Sequence, residues 1–342
     1  MMKPAQTLGA IALLAAAAAH SATDSDKTLV VSASNGAANQ LLIYDVAGNL
    51  LKAIPTQGQG GVGGNAGGIA HAHDRLAVVN FGSGNVSVFA RDADRSGFHL
   101  EGVVQALASP VSVAFGNDHL YVLSTTHVES HAVGPHGVAA LADGAAGLVL
   151  ADGSAAQVGA LAAELVISEK NNAIETVHLD GRGAVSGAAK LVANIPANVN
   201  APFGLATRGN EAYVTIAHAN EISLVRGDAV LTITGSGTQS APCWVALDGP
   251  FLFSANSPSK TVSRYAVYGQ KIIQDAAVVA QFNGNPTDIA YARGTAAVVD
   301  SDGTVSHVSV FKVDEDGNFT LSGVATQTGK TTNGIAIVGN EP

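Results

Sequence analysis

Seven times along the chain, at spacings of 40 to 47 residues, a residue of any type is followed by Ile, Leu or Val and then by Ala or Gly. The copies are Gly68-Ile69-Ala70, Ser112-Val113-Ala114, Gln157-Val158-Gly159, Gly204-Leu205-Ala206, Trp244-Val245-Ala246, Asp288-Ile289-Ala290 and Gly334-Ile335-Ala336. A period of that length, filled with short apolar runs and turn residues, predicts a ring of small sheets, one per repeat. A second run follows each small residue, as in Leu76-Ala77-Val78-Val79 or Leu120-Tyr121-Val122-Leu123. These runs are β-branched or aromatic and too short for helices. A third run has apolar or aromatic residues at its first and fourth positions, as in Leu41 and Tyr44, Val86 and Phe89, or Val262 and Tyr265, with His131 taking the place of the aromatic after Val128. Weaker fourth strands follow at 50–54 and 277–280. The expectation is an all-β fold, a seven-bladed β-propeller of four-stranded blades.

The chain ends predict how the ring closes. Leu29-Val30-Val31-Ser32 reads as a second strand with no first strand before it, and Asn333 to Val338 as a first strand with none after it. The C-terminal strand should therefore complete the N-terminal blade and remove a free sheet edge. With no charged or Pro/Ser-rich linker, residues 23–342 are expected to form one domain. A Gly-rich stretch matches G-x-G-x-x-G from Gly58 to Gly63 but lacks the following helix that would aim amides at a phosphate, so it reads as an inter-blade loop.

Residues 1–22 read as a signal peptide: Lys3, then an apolar run from Leu8 to Ala19, then small residues suited to cleavage after Ala19 or Ala22. The mature chain is expected in the periplasm or secreted, monomeric, with no membrane insertion. A net charge of −10 leaves no basic stripe for phosphates, which excludes a nucleic-acid partner. One cysteine, Cys243, excludes an intrachain disulfide.

Propeller topology gathers the residues that begin each innermost strand and those that end each second strand at one mouth of the central channel. The first set supplies Ser112, Gln157, Trp244, Asp288 and Asn333; the second supplies Asn80, Ser124, Glu169, Asn256 and Asp300. A ring of convergent polar groups in an apolar chain is a candidate pocket for a small-molecule ligand. The alternative is turn chemistry, in which Asn, Ser and Asp bind nearby backbone amides.

The segments Ala241-Pro-Cys-Trp-Val-Ala246 with Phe253-Ser-Ala-Asn256, Thr261-Val-Ser263 and Tyr265, and Ala155-Ala-Gln-Val158 with Val166-Ile-Ser-Glu-Lys170, Asn172, Ile174-Glu175 and Val177, resemble the lactonase-like propellers of the YVTN-repeat type. That family includes 6-phosphogluconolactonases and carboxymuconate cyclases. The resemblance implies an Arg-His pair at the start of one innermost strand and a Glu at the end of the second strand of the same blade. Glu169 matches the Glu, but the Arg position falls on Ala156 and the His position on Gln157. Loss of the bidentate cation argues against sugar phosphates and tricarboxylates as substrates.

No cofactor is expected. An oxygen-rich Ca²⁺ site from Glu169, Asn256, Asp288 and Asp300 and a zinc site from His71, His73, His127 and His131 are the metal alternatives. No G-x-S-x-G elbow supports a serine nucleophile, and Cys243 reads as a small buried hydrophobe. Two functions remain open. One is a lactone-hydrolysing or lactone-forming enzyme with Glu169 as base and Gln157, Asn256, Trp244, Asp288, Asp300 and Asn80 around the substrate. The other is a non-catalytic exported binding scaffold.

Overall fold

The computed structural model describes residues 28–63, 67–193, 201–329 and 331–339. Residues 1–22, where a signal peptide is expected, lie outside them. Among the described residues no helix is long and apolar enough to cross a membrane.

Seven antiparallel sheets form the blades of a propeller. Their innermost strands are Asn333–Val338 for blade 1, then Ile69–Ala72, Pro110–Gly116, Ala155–Ala160, Pro202–Arg208, Pro242–Asp248 and Asn285–Ala292 for blades 2 to 7. Each carries one copy of the sequence repeat. Second strands follow through tight hairpins; in blade 3 Asn117 and Asp118 hold φ of 48° and 56° between Gly116 and His119, the left-handed pair that matches the twist of a two-residue hairpin. Every residue at the first and fourth positions of the third runs is buried, His131 included.

Blade 1 closes the ring as expected, with Leu29 opposite Val338, Val31 opposite Ala336 and Ser32 opposite Ile335. Blade 3 differs from the four-strand expectation. Its third strand, His127–Gly134, pairs both with Gly144–Gly147 and, at its far end, with Gly137–Val138. The long strand folds back on itself twice before the chain leaves for blade 4.

The repeat's small residue has a clear purpose. Ala70, Ala114, Gly159, Ala206, Ala246, Ala290 and Ala336, one from each blade, all line a central channel of 380 Å³. Seven strands converge on one axis only if the side chains facing it are short. The blades are then held together by apolar seams, such as Tyr121, Leu123 and Val128 of blade 3 against Val158, Leu165 and Ile167 of blade 4, and by polar latches. At the third residue of a blade's third strand, Glu129 accepts the Leu107 amide at 2.8 Å and Glu175 accepts those of Val149 and Leu150 at 2.9 and 2.8 Å. Each carboxylate binds the segment arriving from the blade before.

Packing at the axis is tight enough to test. A Cβ on Gly204 would overlap the Cys243 carbonyl oxygen and lie 2.8 Å from the Trp244 Cα, whereas one on Gly235 would meet nothing within 4 Å. Gly204→Ala should therefore lower stability by about 1 to 3 kcal/mol, the usual cost of overpacking against backbone. Gly235→Ala should leave the urea midpoint unchanged or raised; equal midpoints for the two variants would refute this account of the inner ring.

Candidate functional site

At the face where innermost strands begin, six of them carry an irregularity in register: between Pro110 and Ser112, Ala155 and Gln157, Pro202 and Leu205, Pro242 and Trp244, Pro286 and Asp288, and Asn333 and Ile335. Four of these begin with a proline, which cannot donate to the ladder, and a bulge absorbs the missing bond and re-aims the next side chain. Where each aims decides what the polar ring can do.

Most of the ring is turned inward to lace strands together. Gln157 grips the next innermost strand at both ends of its amide: Nε2 donates to the Leu205 carbonyl at 3.0 Å, and Oε1 accepts the Leu205 amide at 2.7 Å. Ser112 Oγ accepts the Val158 amide at 3.2 Å. Ser168 Oγ donates to the Phe203 carbonyl, and Thr215 Oγ1 bridges the Gly204 and Cys243 carbonyls at 3.1 Å each. The Asp288 carboxylate accepts the Ile289 amide at 2.8 Å and further backbone bonds from Ile335 and Gly67, tying blade 7 to blades 1 and 2. Burial pushes Asp288 up to about 7 against the pull of those three amides.

Asn80 and Asn256 sit in closed networks. Asn80 Oδ1 accepts from Thr56 Oγ1 at 2.7 Å and Asn39 Nδ2 at 3.0 Å, while its Nδ2 donates to Asn85 Oδ1 at 2.8 Å and Ser87 Oγ at 2.7 Å. The Gly-rich loop closes over this network, for a Cβ on Gly58 would overlap the Asn80 side chain. Asn256 accepts from Ser254 at 3.0 Å and donates to Thr261 and Ser263 at 3.2 and 2.8 Å. Ser124 Oγ donates to the His127 carbonyl within its own turn. Trp244, 4% exposed, lies edge-on to Phe203 of blade 5 with ring centroids 5.4 Å apart, in the buried cluster that joins blades 6 and 7 rather than among the channel-lining residues.

Glu169 is fully buried. Ser154 Oγ donates to its Oε2 at 2.8 Å, and its Oε1 has no hydrogen-bond partner among the described residues. Burial, reinforced by the negative charges of Glu175 and Asp152 and opposed by Ser154 and Lys170, pushes Glu169 up to about 8. At neutral pH it is a carboxylic acid, and none of the described cavities reaches it. Asp300 points into a different cavity, on the face of blade 7 toward blade 6, where its Oδ1 lies 2.9 Å from His307 Nδ1. Among the described residues no three His, Cys, Asp or Glu side chains come together to share a metal ion. Cys243 is raised to about 12 by burial, an unreactive thiol.

Of the ring, then, Gln157 alone lines the central channel, together with the small residues of the repeat and the polar side chains of His71 and Thr207. Ser154, Glu175 and His307 were missed by sequence reasoning. Ser154 follows an Asp-Gly turn in which Asp152 accepts its amide at 2.9 Å, a signal that could have marked it as Glu169's neighbour.

No protein-family model matches the chain, and no curated protein matches it in sequence. Solved structures do match. A candidate 6-phosphogluconolactonase from Bacteroides fragilis NCTC 9343 superimposes with a TM-score of 0.65 at 14% identity, covering 92% of this chain and 99% of its own. A second, from Bacteroides uniformis ATCC 8492, gives 0.64 at 15%, covering 91% and 99%. A protein of unknown function from Desulfotomaculum acetoxidans DSM 771 gives 0.64 at 13%, covering 92% and 99%. The chain has the seven-bladed fold of these lactonase-like propellers; at such identities the likeness is one of architecture.

Proposed function

We propose that the chain is an exported, monomeric binding protein built on the lactonase-like propeller, which holds a small neutral molecule in its central channel and performs no chemistry on it. The observation that supports this reading is the direction of the polar ring: Gln157, Asp288, Asn80 and Asn256 spend their hydrogen bonds on neighbouring strands and loops. Glu169, the residue matching the family's Glu, is fully buried and lines none of the described cavities, out of reach of a ligand in the channel. The channel wall is mostly small apolar side chains, and the net charge of −10 repels anions such as sugar phosphates. Export rests on the apolar run from Leu8 to Ala19.

A second reading, lactone hydrolysis, is favoured by one observation, the unpartnered Oε1 of Glu169. The two separate on where ligands sit. A panel of small neutral compounds, lactones included, should give ligand-observed NMR responses with the wild type. Narrowing the channel with Ala206→Val or Ala290→Val, each variant first shown by circular dichroism to melt cooperatively, should weaken those responses at least tenfold. Responses that survive undiminished in both variants would place the ligand elsewhere and defeat the channel reading.

A further inference from the structure

Two Asp–His pairs differ in a way that points to a ligand. In blade 3 His119 uses both ring nitrogens, Nδ1 toward the Asn117 carbonyl at 2.7 Å and Nε2 toward Asp143 at 2.9 Å. That ring is a structural pin. In blade 7 His307 turns Nδ1 toward Asp300 at 2.9 Å, its one hydrogen bond among the described residues, and it lines a cavity of 250 Å³. Antiparallel register places Asp300 directly opposite His307, Ser309 opposite Val324 and Phe311 opposite Leu321, so one sheet face carries the pair, a hydroxyl and an apolar floor.

We propose that this cavity between blades 6 and 7 is a binding site for a small neutral aromatic molecule bearing a hydroxyl group, whose proton is accepted by His307 Nε2. A carboxylate opposite Nδ1 fixes the tautomer: Nδ1 carries the hydrogen, and Nε2 presents a lone pair. Asp300 is only 3% exposed, so this orientation is built into the sheet rather than made at the surface. The walls select a ring. Phe282, arriving from blade 6, stands edge-on to Phe311 at 86° with centroids 6.0 Å apart, leaving a corner where a third ring finds both a face and an edge. Leu321 and Val324, 56% and 48% exposed, form an apolar rim that a bound ring would cover.

Size and charge narrow the class. About 150 Å³ suffices for benzene, so 250 Å³ takes one ring with small substituents. No cationic side chain lines the cavity, and the nearby Lys260 ammonium is held by the Asn283 carbonyl at 2.8 Å. An anion would meet the Asp300 carboxylate with no cationic side chain in the lining to hold it, and a cation would have to displace His307 from Asp300. Ser309 is nearly buried beside the imidazole and offers a second polar partner for the hydroxyl.

The test uses p-cresol, toluene and 4-methylanisole with the intact protein at pH 7.5, followed by nitrogen-15 NMR of the histidine rings. p-Cresol should bind saturably and at least tenfold more tightly than toluene, which lacks the hydroxyl, or 4-methylanisole, which cannot donate, and should shift the His307 Nε2 resonance. His307→Phe should erase the difference between p-cresol and toluene, and Ser309→Leu, which fills the cavity, should abolish binding of all three. Equal affinity for p-cresol and toluene in the wild type, no saturable binding, or p-cresol binding that survives in a folded Ser309→Leu variant would each overturn the proposal.

Discussion

Removal of residues 331–342 should leave a chain that no longer unfolds cooperatively. The deleted segment contains Asn333–Val338, the innermost strand of blade 1, paired along Leu29–Ala33. Ile335, Ile337 and Val338 are 6, 7 and 0% exposed, in the seams that join blade 1 to its two neighbours. At about 1.5 to 3 kcal/mol for each buried aliphatic side chain, these three alone carry roughly 5 to 9 kcal/mol, comparable with the whole stability of an ordinary domain, about 5 to 15 kcal/mol. The truncation also bares the apolar edge of Leu29–Ala33, an invitation to edge-to-edge aggregation. Circular dichroism on heating should show a broad, featureless transition or precipitation. A sharp transition within a few degrees of the full-length protein would mean that the ring does not depend on this closure.

The second large effect is a dependence of stability on pH that one carboxyl group dominates. Glu169 rises from 4.5 to about 8 on folding. A raised acid favours the folded state in its protonated form, so its contribution is complete below pH 4.5 and is lost as pH rises through 8. At about 1.4 kcal/mol per unit, the loss between pH 5 and pH 9 is on the order of 3 to 5 kcal/mol. Asp288, raised to about 7, adds to the same trend. Glu169→Gln keeps the shape and cannot ionise: its stability should lie within about 1 kcal/mol of wild type at pH 5 and exceed it by about 2 to 4 kcal/mol at pH 9. Asp288→Asn should instead destabilise at every pH, because an amide nitrogen would replace an oxygen amid three backbone donors. Urea titrations at pH 5, 7 and 9 check both, and an unchanged pH slope in Glu169→Gln would show that the group is not buried as described.

Blade number and ring closure were legible in the sequence for one physical reason: each rests on a pattern that the whole ring must satisfy. Ala70, Ala114 and their five counterparts recur because seven strands cannot meet around bulky side chains. The pairing of Leu29–Ala33 with Asn333–Val338 was legible because each run lacked a partner of its own. The site was less legible because it depends on local exceptions. Trp244 was expected at the channel mouth, but the bulge after Pro242 turns its ring into a seam against Phe203. Such a bulge shifts the side-chain alternation by one residue and leaves no trace in hydrophobic periodicity. Asp300 was expected on the same rim, yet it faces the cavity between blades 6 and 7, where a hairpin brings His307 opposite it. Blade 3 escaped the four-strand rule because Gly137–Val138 and Gly144–Gly147 are too short and too Gly-rich to read as strands.

The central claim is that the polar ring holds the propeller together and does not turn over a substrate. Its most direct test is a hydrolysis screen of aliphatic, aromatic and sugar lactones and simple esters, with and without added Ca²⁺, using wild type and a Glu169→Gln variant shown to be folded. The account predicts no rate above the buffer reaction for either protein. Turnover by the wild type that falls by about 10² to 10⁴ in Glu169→Gln, the loss expected for a missing general acid or base, would contradict it and make the chain a lactonase in activity as well as in fold.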